Sequence, residues 1–212
     1  MSNVPVAHHF DSAEQQRESA TLGMWGFLVT EVLFFGGLFA SFTIYRHLNH
    51  PAFAEASHHL PRWLGATNLT VLLLSSLTMA YAVHATEHND RRAMRRNLLF
   101  TVGCALVFLF VKSIEYYLDY EHHLIPGTAF RAGWEHSRNG AQLFFIHYFV
   151  MTGLHALHVI IGLGVILVTL VIAQRKKDVS EAANLVEMVG LYWHLVDCVW
   201  IVLFPLLYLS GA

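Results

Sequence analysis

Eight ionisable side chains fall inside long apolar runs of this 212-residue chain: Glu31, Lys112, Glu115, His147, His155, His158, His194 and Asp197. Ionisable groups in hydrocarbon are expensive unless they pair or face water, so each is a candidate for function. Lys112 and Glu115 are three residues apart and Asp119 is four beyond Glu115, which lines all three along one helical face. The simplest use of that pattern is an internal ion pair; a transport relay is the alternative. His155 and His158, in "HALH", put two imidazoles on one side of a helix, a spacing that can ligate a metal or haem. No histidine on another segment matches their depth, and no Cys or Glu stands at ligand spacing to complete a zinc or di-iron set. A hydrogen-bonding or packing role is therefore the favoured reading of both.

These residues must be positioned by helices that cross a bilayer. The chain is 55% hydrophobic and 13% charged with a mean hydropathy of +0.46, a composition outside the soluble range. Five apolar runs, at about 23–45, 64–84, 97–118, 144–172 and 189–209, each reach the roughly 20 residues needed to span about 30 Å of hydrocarbon. They lack the period-two alternation of a membrane β-barrel. The expected fold is all-α: a polytopic bundle of five transmembrane helices at 21–212, preceded by a polar tail at 1–20. That tail has no apolar core of a cleavable signal peptide, so the first span is expected to direct its own insertion. Placing Arg17, Arg91, Arg92, Arg95, Arg96, Arg175, Lys176 and Lys177 on one side leaves Arg46, Arg62, Arg131 and Arg138 on the other. This eight-to-four bias predicts the amino terminus inside.

Cys104 and Cys198 both lie in apolar runs and read as small hydrophobes. The histidine pairs His8/His9, His58/His59 and His122/His123 read as solvated or headgroup-facing surface. No internal repeat appears, which weakens a transporter reading. Gly26, Thr30, Gly37 and Ser41 form a small-residue stripe on the first span, and Gly153, Ala156 and Gly162 another on the fourth. Such stripes suit close helix contact, within the chain and with helices outside it. At 1.5 Å per residue, Glu31 and Asp197 lie about 12 Å from the inner ends of their runs, His194 about 8 Å and His158 about 21 Å. These four are thus expected to be able to share one layer of the inner half.

The stretches "LGMWGFLVTEVLFFGGLFASF", "SIEYY", "TGLHALHVIIGL" and "LYWHLVDCVWIVLFPLLYL" resemble subunit III of the haem-copper oxidases, in the short form lacking two amino-terminal helices. The resemblance runs over about 23–209. It implies a multi-pass subunit of the bacterial inner membrane without redox centres of its own. Haems and copper are then expected in partner subunits, with subunit I in direct contact and subunit II nearby. Other implied features are a V-shaped cleft filled with phospholipids near the oxygen route, support of proton uptake and protection of turnover. Glu31 matches the family's intramembrane, carbodiimide-reactive glutamate, and His158 the histidine placed beside it. Arg175 and His9 match lipid-headgroup positions; Glu187, His194 and Asp197 match an "E…YWH..D" pattern, expected with Lys112 and Glu115 to form a structural polar network. No catalytic residue, metal site or nucleic-acid partner is implied.

"TE" at Thr30–Glu31 and "YWH" at Tyr192–His194 favour the cytochrome c oxidase type over the quinol oxidase type. A relative attached to a nitric oxide reductase is a further alternative. From different classes come a proton-coupled carrier or channel using Glu31, Asp197 and the helix histidines, and a haem-bearing cytochrome.

Overall fold

The computed structural model describes residues 11–128, 130–176 and 178–211. Five long helices contain the five apolar runs: α1 (Ala13–Leu48), α3 (Arg62–Glu87), α4 (Arg91–Glu121), α5 (Arg138–Arg175) and α6 (Ala183–Tyr208). A short helix, α2 (His50–Ser57), joins α1 to α3, and a 3-10 turn (Val179–Ala182) leads into α6. No strand occurs among the described residues. The chain is a multi-pass membrane protein by length and composition of these spans.

The helices begin where side chains satisfy free N–H groups. Ser12 Oγ accepts from Gln15 N–H at 3.1 Å, so α1 starts inside the polar tail, well before the apolar run. Asp90 accepts from the N–H groups of Arg92 and Ala93 at the start of α4, and Ser137 from Gly140 N–H at the start of α5. Between α3 and α4 the chain reverses in three residues, with Asn89 in the left-handed region at φ 55°; asparagine tolerates that region better than most residues. At the carboxyl end of α5, Arg91 donates to the carbonyls of Gln174 and Lys176 at 2.7 Å, supplying donors to carbonyls the helix itself leaves free.

Helices α3, α4, α5 and α6 make the core. α3 and α4 form a long hairpin, α6 lies against α3 and α5, and α4 against α5. Trp193, Trp200, Tyr148, Phe108, Phe144 and Phe145 fill the interior and are fully buried. Polar contacts cross between helices: Trp193 Nε1–H donates to Ser75 Oγ at 2.8 Å, Thr78 and Thr101 hydroxyls meet at 2.8 Å, and those of Tyr116 and Thr152 at 2.7 Å. In lipid such bonds contribute on average about 0.6 kcal/mol each. Close approach comes from Gly162, where an added Cβ would lie 2.8 Å from the Trp193 ring.

α1 stands against the α5 and α6 side of this core and leaves most of its surface uncovered. Gly26 and Gly37 of the small-residue stripe have no atom near a would-be Cβ. The stripe thus makes no close packing within the chain at those positions; Thr30 bonds back to the Phe27 carbonyl of its own helix, and Ser41 at the stripe's end meets His147 on α5.

Candidate polar sites within the membrane layer

The residues that could do chemistry separate into three places. At one end of the core, α4 presents Lys112, Glu115 and Asp119, which are 2%, 0% and 2% exposed. Lys112 Nζ donates to Glu115 Oε2 at 3.2 Å, to Tyr148 Oη at 3.1 Å and to Tyr208 Oη at 3.0 Å, using all three N–H groups. Tyr208 in turn donates to Glu115 Oε1 at 2.5 Å, and the Tyr148 hydroxyl lies 2.8 Å from Glu115 Oε1 and 3.1 Å from Asp119 Oδ2. The ammonium also sits over the Tyr148 ring, 4.6 Å from its centroid. A buried ion pair survives only when its remaining donors and acceptors are met, and here they are.

The second place joins α1 to α5. His158 Nε2 lies 3.0 Å from Glu31 Oε2, with side chains 16% and 18% exposed. His158 Nδ1 is 2.7 Å from the Leu154 carbonyl, and since a carbonyl only accepts, Nδ1 must carry a proton. The contact to Glu31 then requires one more proton. Either a protonated Glu31 donates to Nε2, or an imidazolium donates to the carboxylate. Both forms are electrically neutral as a pair and differ by a proton shift along one hydrogen bond. Ten residues along α1, the Ser41 hydroxyl lies 3.1 Å from His147 Nε2, whose Nδ1 likewise serves the Leu143 carbonyl. Two polar contacts about 15 Å apart thus clasp α1 to α5.

The third place is the middle of the core. His155 is fully buried between Phe108 and Trp200, with ring centroids 5.4 and 5.0 Å away, and neither ring nitrogen has a hydrogen-bond partner. Asp197 is 2% exposed and lies beside the Ser76 hydroxyl, which also meets His194 Nδ1 at 2.7 Å.

The shared layer expected of Glu31, His158, His194 and Asp197 does not form as one cluster. Glu31 meets His158, whereas His194 turns to Ser76 on α3 and Asp197 stays within the core. Depth along a helix carries no information about azimuth, and the azimuths differ. Nor do Glu187, His194, Asp197, Lys112 and Glu115 form a common network: Glu187 makes a surface contact with Arg17 at 3.4 Å, apart from the rest. Tyr148 and Tyr208 were absent from the sequence reading of the Lys112 cluster. Their position in the same end of the bundle as Lys112 was the available signal. Arg175 is exposed at the end of α5 with no hydrogen bond or ion pair among the described residues; His9 lies outside the described residues.

One group of three potential metal ligands converges among the described residues. His84, Glu87 and His88, at the end of α3, each place a ligand atom within 4.8 Å of the others, all exposed. It is remote from the three places above in sequence and separate from them in contacts.

The family model for cytochrome c oxidase subunit III matches residues 7–212, which takes in all three polar places. The chain belongs to that family. It is 32% identical over 200 residues to cytochrome c oxidase subunit 3 of Thermostichus vulcanus, covering 94% of this chain and 91% of that protein. It is 30% identical over 207 residues to cytochrome c oxidase subunit 3 of Corynebacterium diphtheriae, covering 93% and 95%. Quinol oxidase subunit 3 of Bacillus spizizenii is 27% identical over 215 residues, covering 99% of this chain and 94% of that protein. The resemblance seen in the sequence therefore holds at the level of haem-copper oxidase subunit III, a family without redox centres of its own.

Proposed function

We propose that this chain is the non-catalytic third subunit of a proton-translocating haem-copper terminal oxidase that takes electrons from cytochrome c. In this role it stabilises subunit I, holds phospholipid and supports proton uptake. The observation that carries this reading is the Glu31–His158 contact at 3.0 Å, in a chain that matches the family over nearly its whole length. A pair that is neutral as a unit can remain in a membrane helix interface and still exchange one proton with its surroundings. Support for an uncovered face that takes lipid or subunit I comes from α1, whose glycines face open space. Arg175, exposed and without a hydrogen bond or ion pair among the described residues, is the candidate headgroup ligand together with His9. The excess of Lys and Arg on one side assigns the amino terminus to the cytoplasmic face of a bacterial inner membrane. Relatives at 30–34% identity are named for cytochrome c oxidase, which favours that type over the quinol type.

The test is affinity purification of the tagged chain from its native membrane, with spectra, donor assays and lipid counts. Haem and copper should co-purify in a catalytic partner, reduced cytochrome c should drive oxygen reduction, and the separated chain should show no Soret band. A Soret band belonging to the separated chain would overturn the assignment. Removing Arg175 and His9 together should lower bound phospholipid and shorten the catalytic lifetime; unchanged values reject those two positions alone.

A further inference from the structure

A surface groove runs between α3 and α4, on elements that take no part in the Glu31–His158 contact. Its volume is about 540 Å³, and Val71 and Leu74 of α3 face Phe100, Gly103 and Val107 of α4 across it. At one end it is closed by Arg96, which also lines a second, polar hollow of about 480 Å³ with Tyr81, His84, His88 and Asn97. Arg96 borders both hollows. Arg96 is exposed and makes no hydrogen bond or ion pair among the described residues, unlike Arg91 in the same run. Asp90 also borders the polar hollow, its Oδ1 accepting the capping N–H groups of Arg92 and Ala93, and its charge opposes an anion there less closely than Arg96 attracts it, since Arg96 lines both hollows.

The dimensions decide what fits. From Arg96 to Val107 is eleven residues of helix, about 16 Å, which is the hydrocarbon depth of one leaflet, half of about 30 Å. A transmembrane helix of another subunit would need an apolar track through the whole layer. An acyl chain needs one leaflet. The cation and the neighbouring hydrogen-bonding groups stand at the end where a headgroup lies, and basic pockets between helices at a membrane surface select anionic headgroups. We propose that this groove binds one anionic glycerophospholipid, with an acyl chain along Val71, Leu74, Phe100, Gly103 and Val107 and its phosphate on Arg96. Gly103 widens the groove: a Cβ built there meets nothing within 4 Å. The site is separate from Arg175 and does not depend on the electron donor of the complex.

The complex purified from its native membrane is exchanged into nanodiscs of phosphatidylglycerol or phosphatidylcholine, washed in mild detergent, and its retained phospholipid counted by native mass spectrometry. Gly103→Trp fills the groove from open space without striking the core, and Arg96→Gln removes the charge at an exposed position. The wild-type complex should retain one more phosphatidylglycerol per chain than the Gly103→Trp complex. Arg96→Gln should weaken phosphatidylglycerol retention about fivefold and phosphatidylcholine retention less, because the choline cation already offsets that lipid's phosphate. Equal lipid counts in all three complexes, or equal retention of the two lipids by the wild type, would overturn the proposal. So would Gly103→Trp releasing a protein subunit while the lipid count holds. The haem content of the same samples reports the oxidase assignment separately.

Discussion

Glu31 and Glu115 are both carboxyls in membrane-spanning helices beside a nitrogen base, and their surroundings could hardly differ more. Glu115 is fully enclosed by α4, α5 and α6, and its oxygens take bonds from Lys112, Tyr148 and Tyr208. Glu31 has one partner, His158, and stands on a helix most of whose surface is open. A network with every donor used has no vacancy for proton exchange and acts as a structural tie. A two-membered pair that is part-exposed has fewer bonds to lose and ties its helix less firmly. The same contrast divides the helices that carry them: α3 to α6 are packed through many large aromatics, while α1 is attached by a few buried side chains, chiefly Phe35 and Phe42, and two polar contacts.

The largest effect is expected where that tie is cut on one side. Glu115→Ala leaves the Lys112 ammonium without its paired carboxylate and the Tyr208 hydroxyl without its acceptor, and should cost about 3–5 kcal/mol. Denaturant titration in detergent, or the yield of assembled complex, measures it. Replacing both members, as Lys112→Met with Glu115→Leu, should be less damaging than Glu115→Ala alone, because no charge is stranded. Next in size is Gly162→Ala, which drives a methyl into the Trp193 ring and should cost about 1–3 kcal/mol. Gly37→Ala on α1 meets no atom and should stay within about 0.5 kcal/mol of wild type. Equal effects of the two glycine substitutions in thermal unfolding would erase the distinction between α1 and the core.

Smaller still is Glu31→Gln. The amide N–H can donate to His158 Nε2 as a protonated acid does, so stability should fall by less than about 1 kcal/mol, with assembly and haem content of the complex retained. If this variant abolished electron transfer at once, Glu31 would belong to an obligatory proton path.

The smallest effect concerns a contact outside the spans. On α2, Glu55 accepts from the N–H groups of Glu135 and His136, at 2.9 and 3.2 Å, and faces His136 Nδ1 at 3.2 Å. Burial pushes its carboxyl up, but those hydrogen bonds and the His136 charge together outweigh burial and hold it below the ordinary value of 4.5. A carboxyl lowered on folding stabilises fully above its unfolded value and loses that contribution as pH falls through the folded one. The loop joining α4 to α5 should therefore loosen only below about pH 4.5, as amide exchange at Glu135 and His136 would report, while Glu55→Gln should remove the pH dependence.

Much of this division was readable before any coordinates. Apolar runs are long and unbroken, so the number of spans followed from the thickness of the bilayer. The spacing of Lys112, Glu115 and Asp119 placed them on one face because helical geometry alone decides that. Tertiary rotation was not readable. Depth arithmetic admitted both His194 and Asp197 beside Glu31, and singling out His158 drew on the family resemblance rather than on spacing. α2 is not legible in the sequence because eight residues are too few for an apolar period to show, although Pro51 at its first turn is a position where proline favours a start. The α1 glycines read as a packing stripe, yet sequence cannot say whether the opposing surface belongs to the same chain.

The separation between Glu31 and His158 also has a meaning in time. They stand 127 residues apart, and Ser41 waits 106 for His147. At about 5–20 residues per second of synthesis, α1 is made roughly 6–25 s before the imidazole that receives its carboxyl. Through that interval its backbone is self-sufficient, as any membrane helix must be, but its intramembrane acid, Glu31, is not. The seating of α1 against α5 waits on α5, and the contact reports that α5 has arrived.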